Sequence, residues 1–594
     1  MHEVMRMKKK SMLSTIYKNN IILLAIYIIF SVLAGVVLSV STNVRTEFID
    51  SLVNNDSRNI PVSLIKNVCT IFLYSYLIPF VLIFVGRNIQ KRISLYVDHI
   101  INRKKVFIPY HYFEKQEIND QINLLNDASV QVWNFIRGCI NLAGYVIESI
   151  FMFAIIAQLG MLNSLIIILF SIPVVFYSVK SGMMYYDTWS RTAKLRRHSD
   201  YIRDILLDKT YAQERILFHY SPYFQKIWKK EYSEIRSTSI KEELKGAKRI
   251  QICGAVFCIY MAILLYILVS ELKDGSISVG FAVSIISILP VFLNNLMARA
   301  SQEINGIVRA KKSISTLDSF LKMEEVNYDK KVSVTDFKVI ELKHVWFRYP
   351  NSEKWVIKDV SMKIEKNRHY SIVGENGAGK TTLVNLLMGL YKPEKGEILI
   401  DGKNLNDFSE AEIRSIFSAL TQEPQRYETV VAENIGIGDI DRVHDSHAIA
   451  EVAKSIQIDE FINALPNQYD TVLGTMFTGG INLSGGEWKK LSLSRLLMSK
   501  TLVKILDEPT ASMDPKFEKW ISEYFDKIMK NQTCFVVSHR LAFSKNVDQI
   551  LVFDNGEICE MGSHEKLMEQ QGIYYKMYTT QQSMYEDDVL SSAT

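Results

Sequence analysis

Residues 374–381 read GENGAGKT, a glycine-rich loop that closes on Gly-Lys-Thr. This pattern cradles a nucleoside triphosphate: glycines let backbone N–H groups crowd the phosphate oxygens, and the following helix adds the positive end of its dipole. Gly374, Glu375, Asn376, Gly377, Ala378, Gly379, Lys380, Thr381 and Thr382 make up the loop and its first helical turn. Lys380 is expected to reach the β- and γ-phosphates and Thr381 to ligate Mg²⁺. A carboxylate pair follows in KILDEPT, residues 504–510. Asp507, at the end of an apolar run, is placed to hold Mg²⁺, and Glu508 to polarise the attacking water. That set of groups hydrolyses ATP. A second Ser-Gly-Gly turn, at Ser484 in INLSGGEWKK, is more than one such site needs.

These groups need a strand–loop–helix to hold them. RHYSIVG reads as a strand ending at the loop, and TTLVNLLMGL as the helix leaving it. From about 338 onward, short β-branched runs alternate with helical stretches, as in an α/β domain. Lys504 interrupts an otherwise apolar strand. We expect it near the strand's exposed start, with its amine reaching water.

The 594 residues exceed one compact core. The apolar 48% is concentrated in the first half, in runs at about 20–42, 67–86, 138–158, 161–180, 250–270 and 277–298. Each is near the roughly 20 residues that span a bilayer, which predicts six membrane helices. The first run is longer than a signal-peptide core and no small-residue cleavage site follows it. Basic residues sit at Lys8, Lys9 and Lys10, at Arg87, Lys91, Arg92, Arg103, Lys104 and Lys105, and at Arg191, Lys194, Arg196 and Arg197. The stretch between the first two runs carries Glu47, Asp50 and Asp56 and only two arginines. Both ends are therefore expected inside, with two long inner loops (about 88–135 and 180–248) built as helical extensions of the spans. Glu148 stands alone in the third span, where an ionised carboxylate is costly. A substrate or proton contact and a hydrogen-bonded packing residue are both open readings. The six cysteines show no C-x-x-C pair, so we expect buried free thiols rather than zinc or disulfides. A net charge of +5 without a basic, aromatic-studded stripe excludes nucleic acid as a partner.

GENGAGKTT, TQEP, LSGGE, ILDEPTASMD and VVSHR, in that order, resemble the nucleotide-binding domain of an ATP-binding cassette (ABC) transporter. With six spans on the same chain, the whole resembles an exporter-type half-transporter. The resemblance implies a multi-domain fold. An all-α six-helix transmembrane domain with long cytoplasmic extensions (20–322) follows a short cytoplasmic segment (1–19). A linker (323–337), an α/β phosphate-loop ATPase domain (338–580) and a tail (581–594) complete the chain. It implies ATP and Mg²⁺ as cofactors, with Tyr349 stacking on adenine, Gln422 sensing Mg²⁺ and the attacking water, Asp514 at a dimer seam and His539 at the γ-phosphate. It also explains the second turn. Ser484, Gly485 and Gly486 would face the ATP held by another subunit, so two chains sandwich two nucleotides. The partner is expected to be an identical chain, with a heterodimer as the alternative. Glu487 replaces the family's usual glutamine and is read as a tolerated variant. PYHYFE at 109–114, with Tyr112, and YAQERI at 211–216, with Glu214, resemble the exporter coupling regions.

RYETVVAENIGIGD, the stretch 473–488 including Trp488, and QQSMY at 581–585 are similar to exporters of ribosomal peptides such as lantibiotics. With the first span near residue 20, no leader-cleaving peptidase domain is expected before it. A lipid, glycolipid or drug exporter shares the architecture and is the alternative. Six spans exclude a soluble cassette ATPase, and Glu508 argues against a nucleotide-gated channel or receptor. Importers place their cassettes on separate chains. Abundant Ile, Lys and Asn fit an AT-rich bacterial genome, and the expected location is the cytoplasmic membrane, with its lipid and the exported substrate as partners.

Overall fold

The computed structural model describes residues 12–115, 118–119, 121–122, 125–326, 334–350, 352–510, 513, 515–541 and 543–591. The chain divides into two compact units. The first takes the residues up to Val106 and Asn119–Met323; the second takes Phe107–Ile118 and the chain from Glu324 on.

The first unit is helical. Its main helices are α1 (Ile21–Val53), α2 (Ile60–Val106, with a π turn at Leu73–Leu77), α3 (Ala128–Ile156) and α4 (Met161–Arg191). They continue with α5 (Ser221–Lys273), α6 (Val279–Asn294) and, after a π turn at Asn295–Ala300, α7 (Ser301–Leu321). Among the described residues, four helices are long and apolar enough to cross a membrane: α1, α2, α3 with its 3₁₀ extension to Leu159, and α5. Val279–Phe292 is a shorter apolar helix. The remaining expected run, 161–180, lies within α4. Ile22, Phe72, Tyr76, Phe80, Phe84, Ile259 and Tyr266 stand 56–78% exposed. Water does not tolerate so much outward apolar surface, whereas a bilayer solvates it. At 1.5 Å per residue the 53-residue α5 is about 80 Å long, far more than the ~30 Å of hydrocarbon. Its polar first half therefore projects beyond the lipid.

Small residues let these helices meet. A Cβ on Gly35 would lie 3.2 Å from the Glu148 backbone nitrogen, so α1 crosses α3 backbone to backbone. At the other end of α1, Asp50 Oδ1 accepts the Gly280 N–H at 2.7 Å, seating the start of α6. All six cysteines are free, but only Cys534 is buried, contrary to the expectation. Cys69, Cys139 and Cys258 lie on outward helix faces that need no protein cover, and Cys559 lies on an edge strand.

The second unit holds two sheets. One is antiparallel in the order β2 (Ile357–Glu365), β1 (Val339–Phe347), β4 (Lys395–Ile400), β5 (Lys403–Asn404). The other runs β10 (Glu557–Gly562), β9 (Gln549–Asp554), β3 (His369–Gly374), β8 (Thr533–Val537), β7 (Val503–Asp507), β6 (Phe417–Leu420). From β9 to β6 its pairings are parallel. β7 and β8 are buried along their whole length, as parallel strands covered on both faces must be. Lys504 is no exception: it is 3% exposed, so the expectation of a water-reaching amine fails.

A Cβ on Gly280 would fall 2.4 Å from the Thr46 carbonyl oxygen, a backbone atom that cannot step aside. Gly280→Ala is therefore expected to cost about 1–3 kcal/mol of overpacking strain, read as a lower midpoint of thermal unfolding in lipid. An unchanged midpoint would refute that packing.

Candidate functional site

Four neighbouring parallel strands end at one edge of the second sheet. β3 delivers the loop 374–381; β8 leads through Ser538 to His539; β7 delivers Asp507 and Glu508; β6 leads through Thr421 to Gln422. In open α/β sheets this carboxyl edge is where ligands bind.

The loop leaves β3 at Gly374 with φ 151°, where a Cβ would sit 2.1 Å from the Phe553 carbonyl oxygen, so only glycine fits. Gly379 (φ 107°) turns the chain into the helix α8 (Lys380–Leu387). Lys380 Nζ donates to the carbonyls of Gly374 (2.7 Å) and Glu375 (2.8 Å), folding its ammonium over the loop. Thr381 Oγ1 donates to Asp507 Oδ2 at 3.3 Å. Burial pulls the Lys380 ammonium down from the ordinary lysine range, and the nearby Glu508 and Asp507 oppose it. Burial pushes the Asp507 carboxyl up, with Glu508 adding to the shift.

Glu508 has a left-handed backbone, φ 49°, costly for a side-chain-bearing residue. Its N–H donates to Val537 C=O at 2.8 Å. Its carboxylate is bracketed: His539 Nε2 lies 2.7 Å from Oε1, and Gln422 Nε2 donates to Oε2 at 3.2 Å. Three of the sequence-derived candidates thus meet on one carboxylate. Tyr349 rests its ring edge-on against Phe347 and Tyr391 and hydrogen-bonds Thr382 Oγ1 at 2.9 Å. The oxygen donors of Thr381, Gln422 and Asp507 are the hard ligands that suit Mg²⁺. Asp514 lies outside the described residues.

Ser484 caps the helix α9 (Gly485–Met498). Its Oγ accepts the Glu487 N–H at 3.3 Å, and Glu487 Oε2 accepts the Ser484 N–H at 2.7 Å. This is a reciprocal capping box, for which Glu and Gln are both suited. Glu487 is therefore a working part of the turn, where the sequence reading took it as merely tolerated. Trp488 is 2% exposed in the core beneath the turn, a packing residue.

Two further features lie in stretches that the sequence marked only by resemblance, QQSMY at 581–585 and PYHYFE at 109–114. Gln581, on the helix α10 (Ile573–Ser591), accepts the Leu541 N–H at 3.0 Å and donates to the His539 carbonyl, clamping the turn that carries His539. The segment 107–115 belongs with the ATPase unit: Tyr391 Oη donates to Glu114, Tyr110 packs edge-on to Tyr391, and Val326 N–H reaches Phe107 C=O at 2.7 Å. Tyr112 in it stacks with His111. Glu214 lies exposed on the short helix Ala212–Leu217 of the other unit.

A family model described as "ABC transporter" matches residues 357–511, spanning the loop, the Ser484 turn and the 507–508 carboxylates. The structure aligns with that of a bacterial Atm1-family ABC exporter over 95% of this chain and 98% of that chain, with TM-score 0.80 and 19% identity. Residues 357–511 form an ABC transporter nucleotide-binding domain. The subtilin transport ATP-binding protein of Bacillus subtilis is 28% identical over 558 residues, 92% of this chain and 90% of that protein. An ATP-dependent lipid A-core flippase of Alkalilimnicola ehrlichii is 33% identical over 55% of each chain. This transporter therefore couples an ATPase domain to a helical membrane domain of exporter fold.

Because Gln can fill the same capping role, Glu487→Gln should leave ATP turnover within about twofold of wild type, whereas Glu487→Ala should cost about 1 kcal/mol of helix capping and several-fold in turnover. Equal activities of the two variants would show that the box does not position the turn.

Proposed function

We propose that two copies of this chain form an exporter that moves a peptide out across the cytoplasmic membrane, with both termini and the ATPase domains inside. One observation carries the peptide reading. The alignment with the subtilin transport protein runs through both halves, over 92% of this chain, whereas the flippase alignment spans 55%. Spans that line a route should resemble those of a transporter with similar cargo. The flippase relation keeps lipid export as the second reading.

Each ATP site is shared. The loop 374–381 of one chain holds the phosphates, Tyr349 stacks on the base, and the partner's turn at Ser484, Gly485 and Gly486 closes on the γ-phosphate. Thr381, Gln422 and Asp507 would hold Mg²⁺, which when bound offsets phosphate charge. Glu508 takes the proton of the attacking water, and its bracketing by His539 Nε2 and Gln422 Nε2 fixes where that carboxylate points. Asp514 belongs to the seam between the chains. In the membrane domain, Glu148 accepts from Asn295 Nδ2 at 2.8 Å while both are over nine-tenths buried. Tyr74 lies 3.4 Å from the same amide. This polar junction sits where π turns interrupt two helices. We read Glu148 as a carboxylate that meets the cargo when this buried junction opens.

The purified chain in lipid should have a two-chain mass and hydrolyse ATP, and Glu508→Gln should lower turnover by at least about 10²-fold. Mixing Lys380→Ala with Ser484→Ala chains should restore nucleotide trapping, because a mixed dimer retains one intact site; absence of rescue would sink the shared-site arrangement. Stimulation by subtilin but not by lipid A favours peptide cargo, and the reverse favours lipid. Glu148→Gln should keep basal turnover yet lose most of the stimulation. Undiminished transport by that variant would return Glu148 to a packing role.

A further inference from the structure

Lys504 breaks the pattern of its strand. It lies in β7, buried to 3% exposure between β6 and β8, where it pairs with Ser418 and Cys534. No carboxylate bonds to its amine among the described contacts. Instead Nζ donates to Leu496 C=O (3.0 Å), Ser499 C=O (2.8 Å) and Ser499 Oγ (3.1 Å). Ser499 caps the carboxyl end of α9, and its hydroxyl is linked to Ser418 and Thr501 at 2.9 and 3.1 Å. The ammonium thus completes the orphan carbonyls of this helix, at the negative end of its dipole. An unpaired buried cation is expensive, and an apolar residue of similar length would fill the strand more cheaply. A local rule broken without a stability gain marks a functional position.

Two parts of the machinery meet at this amine. α9 begins at the Ser484 turn, and β7 ends at Asp507 and Glu508. On the shared-site reading, on which this inference rests, those ends serve different ATP molecules. The turn closes the partner's nucleotide, while the carboxylates act on the chain's own. We infer that Lys504 is a positioning residue that ties the two ATP sites together, by fixing the far end of the signature helix to the strand that carries the hydrolytic carboxylate. A shift of β7 when one site fires is passed to α9 through this amine and shifts the turn at the other site.

Burial pushes the Lys504 ammonium down to about 8. The titratable neighbour is Cys534 on β8, whose own burial pushes its thiol up, so it stays neutral. Arg442 Nη2 donates to the adjacent Met498 carbonyl at 3.1 Å. Since the folded pKa is below the unfolded one, this group's contribution to stability improves as pH rises from about 8 toward the unfolded value, while the charge on the tie is lost. Stability and tie therefore move in opposite directions, and this separates a positioning role from a structural one.

The test uses the full chain in lipid, measuring ATP dependence of hydrolysis, thermal midpoint and pH profile for wild type, Lys504→Met and Lys504→Arg. Wild type should be cooperative in ATP at pH 7 and lose that cooperativity above about pH 8. Lys504→Met should keep or raise the thermal midpoint, show a Hill coefficient near 1 and have a cooperativity that no longer changes with pH. Lys504→Arg, charged throughout, should stay cooperative to pH 9. A Lys504→Met variant as cooperative as a cooperative two-chain wild type overturns this inference alone, as does one that loses midpoint and activity together. A wild type of single-chain mass overturns the shared-site reading and this inference with it.

Discussion

The register of one parallel ladder governs this molecule's chemistry. β3, β8, β7 and β6 lie side by side, with Ile372 opposite Val537, Asp507 opposite Val537 and Leu420 opposite Leu506. Their ends are therefore level. The residues just beyond them, Lys380 and Thr381 by way of the loop, His539, Glu508 and Gln422, converge though they are scattered over 160 positions of sequence. A slip of one residue in β7 would turn Asp507 and Glu508 to opposite faces and destroy the set. β7 and β8 are buried along their whole length, so a slip would force closely packed side chains into sites of the wrong shape.

The same burial creates the site's electrostatics. Asp507 is pushed up and Lys380 pulled down by loss of water, so each is poised to gain from an opposite charge brought into the crevice. A triphosphate with its metal ion supplies both signs at once, anionic oxygens for the ammonium and a dication for the carboxylate. The left-handed backbone of Glu508 adds a local strain that the hydrogen bond to Val537 and the contacts with His539 and Gln422 hold in place. Strain of this kind is tolerated where a carboxylate must point one way.

Much of this was legible in order and spacing. GENGAGKT between a strand and a helix named the phosphate site, and the apolar runs named the membrane half, because both signals are local. What failed to show was long-range. Whether a lysine in a strand reaches water depends on what covers its end, and for Lys504 the cover is the end of α9. Gln581 is one glutamine in a polar helix until that helix is seen against the His539 turn. Cysteines in apolar runs read as buried, yet a lipid-facing helix reverses inside and outside. Glu487 is the instructive miss. Ser484-x-x-Glu487 before a helix is itself a readable capping signal, and the same residues also carry the phosphate-facing motif.

The segment Phe107–Ile118 belongs to the ATPase unit, although the chain on either side of it belongs to the helical one. α2 runs for 47 residues through its π turn, about 70 Å at helical rise, and ends at Val106. The next residues, from Phe107, pack with the ATPase unit. Tyr391 holds this segment through Glu114 and Tyr110 and also supports the ring of Tyr349, so one aromatic side chain links the base-stacking candidate to the segment 107–115. A tyrosine wedged edge-on between two others has few alternative packings, because interiors are dense and side chains occupy discrete wells.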